Sequence, residues 1–171
     1  LDIVGRDERF EIVALSAQSN AEKLAGLAIR HRARVAVIGD ASRYDALKSA
    51  LAGTGIEAAA GEAAIVEAAS RPADYVMAAI VGAAGLKPTF AAARQGRRVG
   101  LANKECLVSA GRVFMDAVRS AGGELLPVDS EHSAAFQAIG DHAPSQIERI
   151  ELTASGGPFR TLPREDIAKL G

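Results

Sequence analysis

Asp129 and Glu131, two carboxylates two residues apart, offer the most chemistry in this sequence. They stand in Pro127-Val128-Asp129-Ser130-Glu131-His132, directly after Glu124–Val128, an apolar run that reads as a strand. At a strand end, residues two apart point to the same side, so the pair would converge on one point. Converging carboxylates repel unless a cation lies between them or one holds a proton. Oxygen donors of this kind suit a hard divalent cation, Mg²⁺ or Mn²⁺. The same residues would also serve as the start of a helix, with Asp129 or Ser130 as cap and Glu131 favoured by the dipole. His132 reads either as an acid–base group beside Glu131 or as a neutral histidine at a helix start.

Four further segments carry polar or glycine chemistry. Leu101-Ala102-Asn103-Lys104-Glu105 also follows a strand-like run. A lysine at the carboxyl end of a strand can hold an anionic or metal-bound oxygen, and Asn103 could meet the amide or ribose of a dinucleotide. Its alternative is a surface turn with an Asn cap. In Thr153-Ala154-Ser155-Gly156-Gly157-Pro158-Phe159, backbone N–H groups and the Ser155 hydroxyl would be open to a phosphate, or the string is an ordinary tight turn. Ala79–Leu86, with Gly82 and Gly85, ends a strand in small residues, which admit either a cofactor or close helix–strand packing. Ser16-Ala17-Gln18-Ser19-Asn20 is a neutral polar loop after the first strand-like run, and Asn20 would cap the next helix. In dinucleotide folds an acid here favours NAD; its absence permits a 2′-phosphate. Cys106 carries no nucleophile pattern and reads as a small buried residue.

These segments need a scaffold that presents strand ends. Strand-like runs occur at Phe10–Leu15, Arg34–Ile38, Tyr75–Ile80, Arg98–Ala102 and Glu124–Val128. Helical patterns lie at Asn20–His31, Ser42–Leu51, Glu62–Ala69, Leu86–Gln95 and Ser109–Ala121. Strands alternating with helices of this length pair in parallel through right-handed crossovers. The predicted fold is α/β, a Rossmann-like, doubly wound, mostly parallel sheet with its ligand crevice at the carboxyl strand ends. The tail differs: Ile147–Thr153 reads as another strand and a short helix is expected from about Pro163, as at the start of an α+β catalytic domain. The expected domains are 1–128, dinucleotide-binding, and 129–171, metal- and substrate-binding.

Bulk composition narrows the partners. Of 171 residues 49% are hydrophobic and 24% charged, which supports a buried core and argues against disorder. A net charge of −1 gives no basic field for nucleic acid. No apolar run approaches the roughly 20 residues needed to span a bilayer. One cysteine permits no internal disulfide, in keeping with a reducing cytoplasm. The chain opens at Leu1 rather than Met and stops at Gly171 without a terminator, so residues are expected to be missing at both ends.

Taken together and in order, AAIVGAAGL at 78–86, LANKE at 101–105, LLPVDSEHSAAFQAI at 125–139 and LTASGGPFR at 152–160 resemble the deoxyxylulose phosphate reductoisomerases. The resemblance covers essentially the whole chain. It implies NADPH- and divalent-metal-dependent rearrangement and reduction of 1-deoxy-D-xylulose 5-phosphate to 2-C-methyl-D-erythritol 4-phosphate, in non-mevalonate isoprenoid synthesis. By position it implies Asp129 and Glu131 as metal ligands, with Lys104, Ser130, Glu131 and Ser155 meeting the phosphorylated sugar. Lys104, Asp129 and Glu131 would be the catalytic set; Asn20, Asn103 and Glu105 would face NADPH. It further implies a bacterial, cytoplasmic homodimer. Two departures stand out. The family's opening glycine-rich loop would lie before Leu1, and Ser19 stands where members often carry a base. The third metal carboxylate, the remaining phosphate ligands and the lid would lie after Gly171, so the chain alone is expected to be inactive. The alternative reading is a different Rossmann-type NAD(P)-dependent dehydrogenase, or a nucleotide-binding module without metal chemistry. Neither has a use for the Asp129–Glu131 pair.

Overall fold

The computed structural model describes residues 1–151, 157, 160–167 and 169. The chain divides into two compact units, Leu1–Leu126 and Pro127–Gly171.

In the first unit, β1 (Ala14–Ala17), β2 (Val35–Ile38) and β3 (Glu57–Ala60) form one parallel sheet in that order. All four residues of β2 are buried, as a central parallel strand covered on both faces requires. The helix between β1 and β2, α1 (Ala21–Arg30), starts where the Asn20 side chain accepts from Lys23 N at 2.9 Å. It buries Ala21, Leu24, Ala25 and Ala28, the i, i+3, i+4, i+7 face. These pack with Ile38, Leu47 and Leu51, the latter two from and just after α2 (Tyr44–Ala50).

A second sheet runs in the order β4 (Tyr75–Ala78), β5 (Arg98–Leu101), β6 (Glu124–Pro127), with β4 and β5 parallel. Its helices are α4 (Leu86–Ala93) and α5 (Glu105–Ser120); α3 (Glu62–Ser70) precedes β4. Phe114 of α5 is fully buried beside Ala93 and Val118, its ring 6.2 Å from that of Phe90. The α/β, Rossmann-like class read from the alternation holds.

Three local expectations change. Glu57–Ala60 is a strand that the pattern missed: Glu-Ala-Ala-Ala carries no β-branched residue, and only its ladder to β2, Val35 against Glu57 through Ile38 against Ala60, makes it one. Helix α5 begins at Glu105, not Ser109, and carries non-helical angles at Ala110 (φ −140°, ψ 21°). The expected helix corresponds to the part around and beyond this kink. The described part of the expected strand Ile147–Thr153, residues 147–151, has no strand structure, because among the described residues no ladder partner meets it.

The second unit holds α6 (Ser130–Ile139), a single turn at Pro144–Gln146, and α7 (Arg164–Ile167). None of its described residues is buried.

Candidate functional site

Parallel strands put their carboxyl ends, and the turns leading into the following helices, on one side of a sheet, where ligands of open α/β folds bind. Asn20 lies in such a turn between β1 and α1; Asn103 and Lys104 lie between β5 and α5, and Glu105 is the first residue of α5. All four belong to the first unit. Asn20 and Lys104 are exposed, and Glu105 is half-buried in the first turn of α5.

Asn103 is different. It is 1% exposed, and its amide is spent inside the protein. Nδ2 donates to Ile80 O and, at 3.0 Å, to Gly82 O; Oδ1 accepts from Cys106 N at 3.2 Å. The side chain therefore ties the loop after β4 to the first turn of α5. Gly82 has φ +72°, a conformation that favours glycine, and a Cβ there would meet nothing within 4 Å, so the loop surface is open to a ligand. At Gly85 a Cβ would strike both Asn103 Nδ2 and Ile80 O. Close packing, one of the two readings of the small-residue run, explains Gly85.

Cys106 lies beneath the same turn at 1% exposure. Burial pushes its thiol up from the ordinary value; a hydrogen bond with Thr89 lowers it and the nearby Glu105 carboxylate raises it further. A neutral, buried thiol is no nucleophile, in agreement with the sequence.

In the second unit, Asp129 is the N-cap position of α6 (φ −55°, ψ 133°), and its backbone carbonyl accepts from Ser133 N at 2.8 Å. Ser130 and Glu131 are the first two helical residues, both exposed, and Ser130 Oγ donates to Glu131 Oε2 at 3.0 Å. The expectation that Asp129 and Glu131 share a strand end is thus corrected. The strand stops at Pro127 and Glu131 is helical, so strand alternation does not aim the two carboxylates; both residues stand at one helix start instead. Anionic groups are favoured there by the helix dipole.

The donor chemistry fits a hard divalent cation, since Asp129 and Glu131 offer carboxylate oxygens only. Two residues fill part of a six-oxygen shell, and no group of three His, Cys, Asp or Glu side chains suited to a metal occurs among the described residues. The dinucleotide side also fits: Ser16–Asn20 holds no acid to repel a 2′-phosphate. Ser155 lies outside the described residues.

The family model for 1-deoxy-D-xylulose 5-phosphate reductoisomerase matches residues 1–111, and that for its C-terminal domain matches residues 125–171. The chain is similar to the 1-deoxy-D-xylulose 5-phosphate reductoisomerase of Rhizobium rhizogenes, 58% identical over 99% of this chain and 44% of the relative. It is also similar to that of Rhodospirillum centenum, 62% identical over 94% of this chain and 40% of the relative. It therefore spans less than half the length of these relatives. Among solved structures, the enzyme from Zymomonas mobilis in complex with NADPH superposes with a TM-score of 0.89 at 54% identity, covering 98% of this chain and 44% of that one. A DOX-P reductoisomerase in complex with NADPH, fosmidomycin and magnesium gives 0.76 at 37% identity, covering 81% and 35%.

Proposed function

The chain belongs to the 1-deoxy-D-xylulose 5-phosphate reductoisomerase family, and from that we propose that its residues serve the NADPH- and divalent-metal-dependent conversion of 1-deoxy-D-xylulose 5-phosphate to 2-C-methyl-D-erythritol 4-phosphate. Membership removes the reading as a different Rossmann-type dehydrogenase. The observation that carries the proposal is the turn Ala102–Lys104, which presents an exposed lysine at the carboxyl end of β5 on a base fixed by the buried Asn103. Solved relatives with NADPH and with magnesium support the choice of cofactors.

Each residue has a part in this reading. The Lys104 ammonium holds and orients an anionic oxygen of the substrate. Asp129 and Glu131 would hold the divalent cation, and the Ser130 hydroxyl meets the sugar. Ser155 would serve the phosphate. Asn20 and Glu105 border the dinucleotide, with Asn20 also fixing the start of α1. When bound, the cation polarises substrate oxygens as a Lewis acid and NADPH supplies the hydride that reduces the rearranged aldehyde. A cytoplasmic homodimer accompanies this reading. Among the described residues no helix is long and apolar enough to cross a membrane, and Cys106 is free.

The test is NADPH oxidation by a polypeptide of full family length carrying this chain, supplied with deoxyxylulose phosphate and Mg²⁺ or Mn²⁺. Oxidation that needs both substrate and metal is the expected result. NADPH left unconsumed under these conditions would sink the proposal.

A further inference from the structure

One side chain joins the ends of two neighbouring strands. A carboxamide has two N–H donors and one carbonyl acceptor, and Asn103 uses all three functions internally, on Ile80 O, Gly82 O and Cys106 N. Gly82 O also accepts from Gly85 N at 3.1 Å, so the loop after β4 is closed on itself as well as on Asn103. Gly85 forms the wall behind the amide, since any Cβ there would displace Asn103 Nδ2. Lys104 follows at once, and its carbonyl accepts from Leu107 N at 3.0 Å and Val108 N at 3.1 Å as α5 begins. Turning Asn103 out of its socket would therefore carry Lys104 and the first turn of α5 with it.

Building on the reductoisomerase reading, we propose that Asn103 is a positioning residue. It locks the 80–85 loop to the Lys104 turn, so that the loop surface offered to NADPH and the lysine offered to substrate stand in one fixed relation. It does this without a side-chain bond to the cofactor. The gain is preorganisation: a loop already ordered in the free protein loses less entropy when a ligand binds. Gly85 belongs to the same device, although it carries no functional group.

The experiment compares Asn103→Ala, Gly85→Ala and the double variant in a polypeptide of full family length. NADPH affinity is read by cofactor fluorescence, KM and kcat by turnover, and amide hydrogen exchange over residues 103–108 without cofactor. Both single variants are expected to weaken NADPH binding by about tenfold, the scale of one lost buried hydrogen bond. KM for NADPH should rise more than kcat falls, and exchange at Cys106 should quicken. The double variant should be no worse than the poorer single one, because both break one clamp. Gly85→Ala with unchanged NADPH affinity, beside an Asn103→Ala that loses it, would mean a direct contact and overturn the proposal. Unchanged exchange at Cys106 in both variants would overturn it too. Should Asn103→Ala not fold, Asn103→Ser, which keeps a hydroxyl acceptor for Cys106 N–H, takes its place, judged by NADPH affinity and KM, with exchange at Cys106 then read in Gly85→Ala. A wild-type protein that binds NADPH but leaves deoxyxylulose phosphate unreacted refutes the functional reading alone; affinity and exchange then decide the clamp.

Discussion

The turns after β5 and β6 have the same plan, a strand running into a helix with charged residues at the junction, yet they are built in opposite ways. The turn after β5 rests on a buried amide, a buried thiol and the Phe114 core. The turn after β6 opens α6, which buries none of its residues and caps its own start with no side-chain hydrogen bond from Asp129. The first has its geometry before any ligand arrives. The second sets Asp129 and Glu131 at the start of a helix that has no buried residue of its own. In the proposed reading the first turn would serve the dinucleotide and a substrate oxygen, and the second the divalent cation.

The largest effect should come from the core beneath the rigid turn. Phe114→Ala is expected to cost about 3–5 kcal/mol by denaturant unfolding, through lost burial and a cavity, whereas Phe136→Ala on α6, at 52% exposure, should stay within about 0.5 kcal/mol. Equal losses would erase the contrast between the two regions. Asp129→Asn should lower metal-dependent turnover by about a hundredfold or more, since Lewis-acid stabilisation is worth several kcal/mol, and leave the unfolding midpoint where it was. A variant that turns over normally at limiting Mn²⁺ would remove Asp129 from the metal site.

Ser19→Asp sharpens the comparison on the dinucleotide side. A carboxylate placed in the neutral loop before α1 should weaken NADPH by about tenfold relative to NADH through like-charge repulsion; an unaltered ratio of catalytic efficiencies would show that this loop does not meet the 2′-phosphate. The smallest effect concerns pH. The folded Cys106 thiol titrates above its ordinary value because it is buried. Its contribution to stability is therefore complete below the unfolded thiol pKa, about 8.5, and is lost as pH rises through the higher folded value. Cys106→Ala should flatten this alkaline decline slightly, and stability curves of equal slope for the two proteins would contradict it.

Sequence patterns found the strands that carry β-branched residues and the helix that begins at a good cap, as at Asn20. They missed Glu57–Ala60, where register against β2 overrides an alanine string, and they began α5 at Ser109, just before its kink at Ala110, because Asn103, whose Oδ1 accepts from Cys106 N at the true start, could equally be read as a ligand contact. The candidate site could be proposed from residue types. Its construction was less legible: Asp129 and Glu131 were assigned strand geometry that belongs to a helix start, one of the two readings the residues allowed. The inward turn of Asn103 depends on carbonyls about twenty residues earlier, at Ile80 and Gly82, a tertiary relation that no local pattern encodes.

Strand β4 ends its sheet, and among the described residues no other strand pairs with its outer side. Its sequence, Tyr-Val-Met-Ala, contains neither charge nor proline, and Tyr75 and Met77 are 42% and 53% exposed. An uncharged edge of this kind is a template for further β-pairing. Expressed by itself, the 171-residue chain should self-associate as its concentration rises, and Met77→Lys should restrain this by placing a charge on the edge strand.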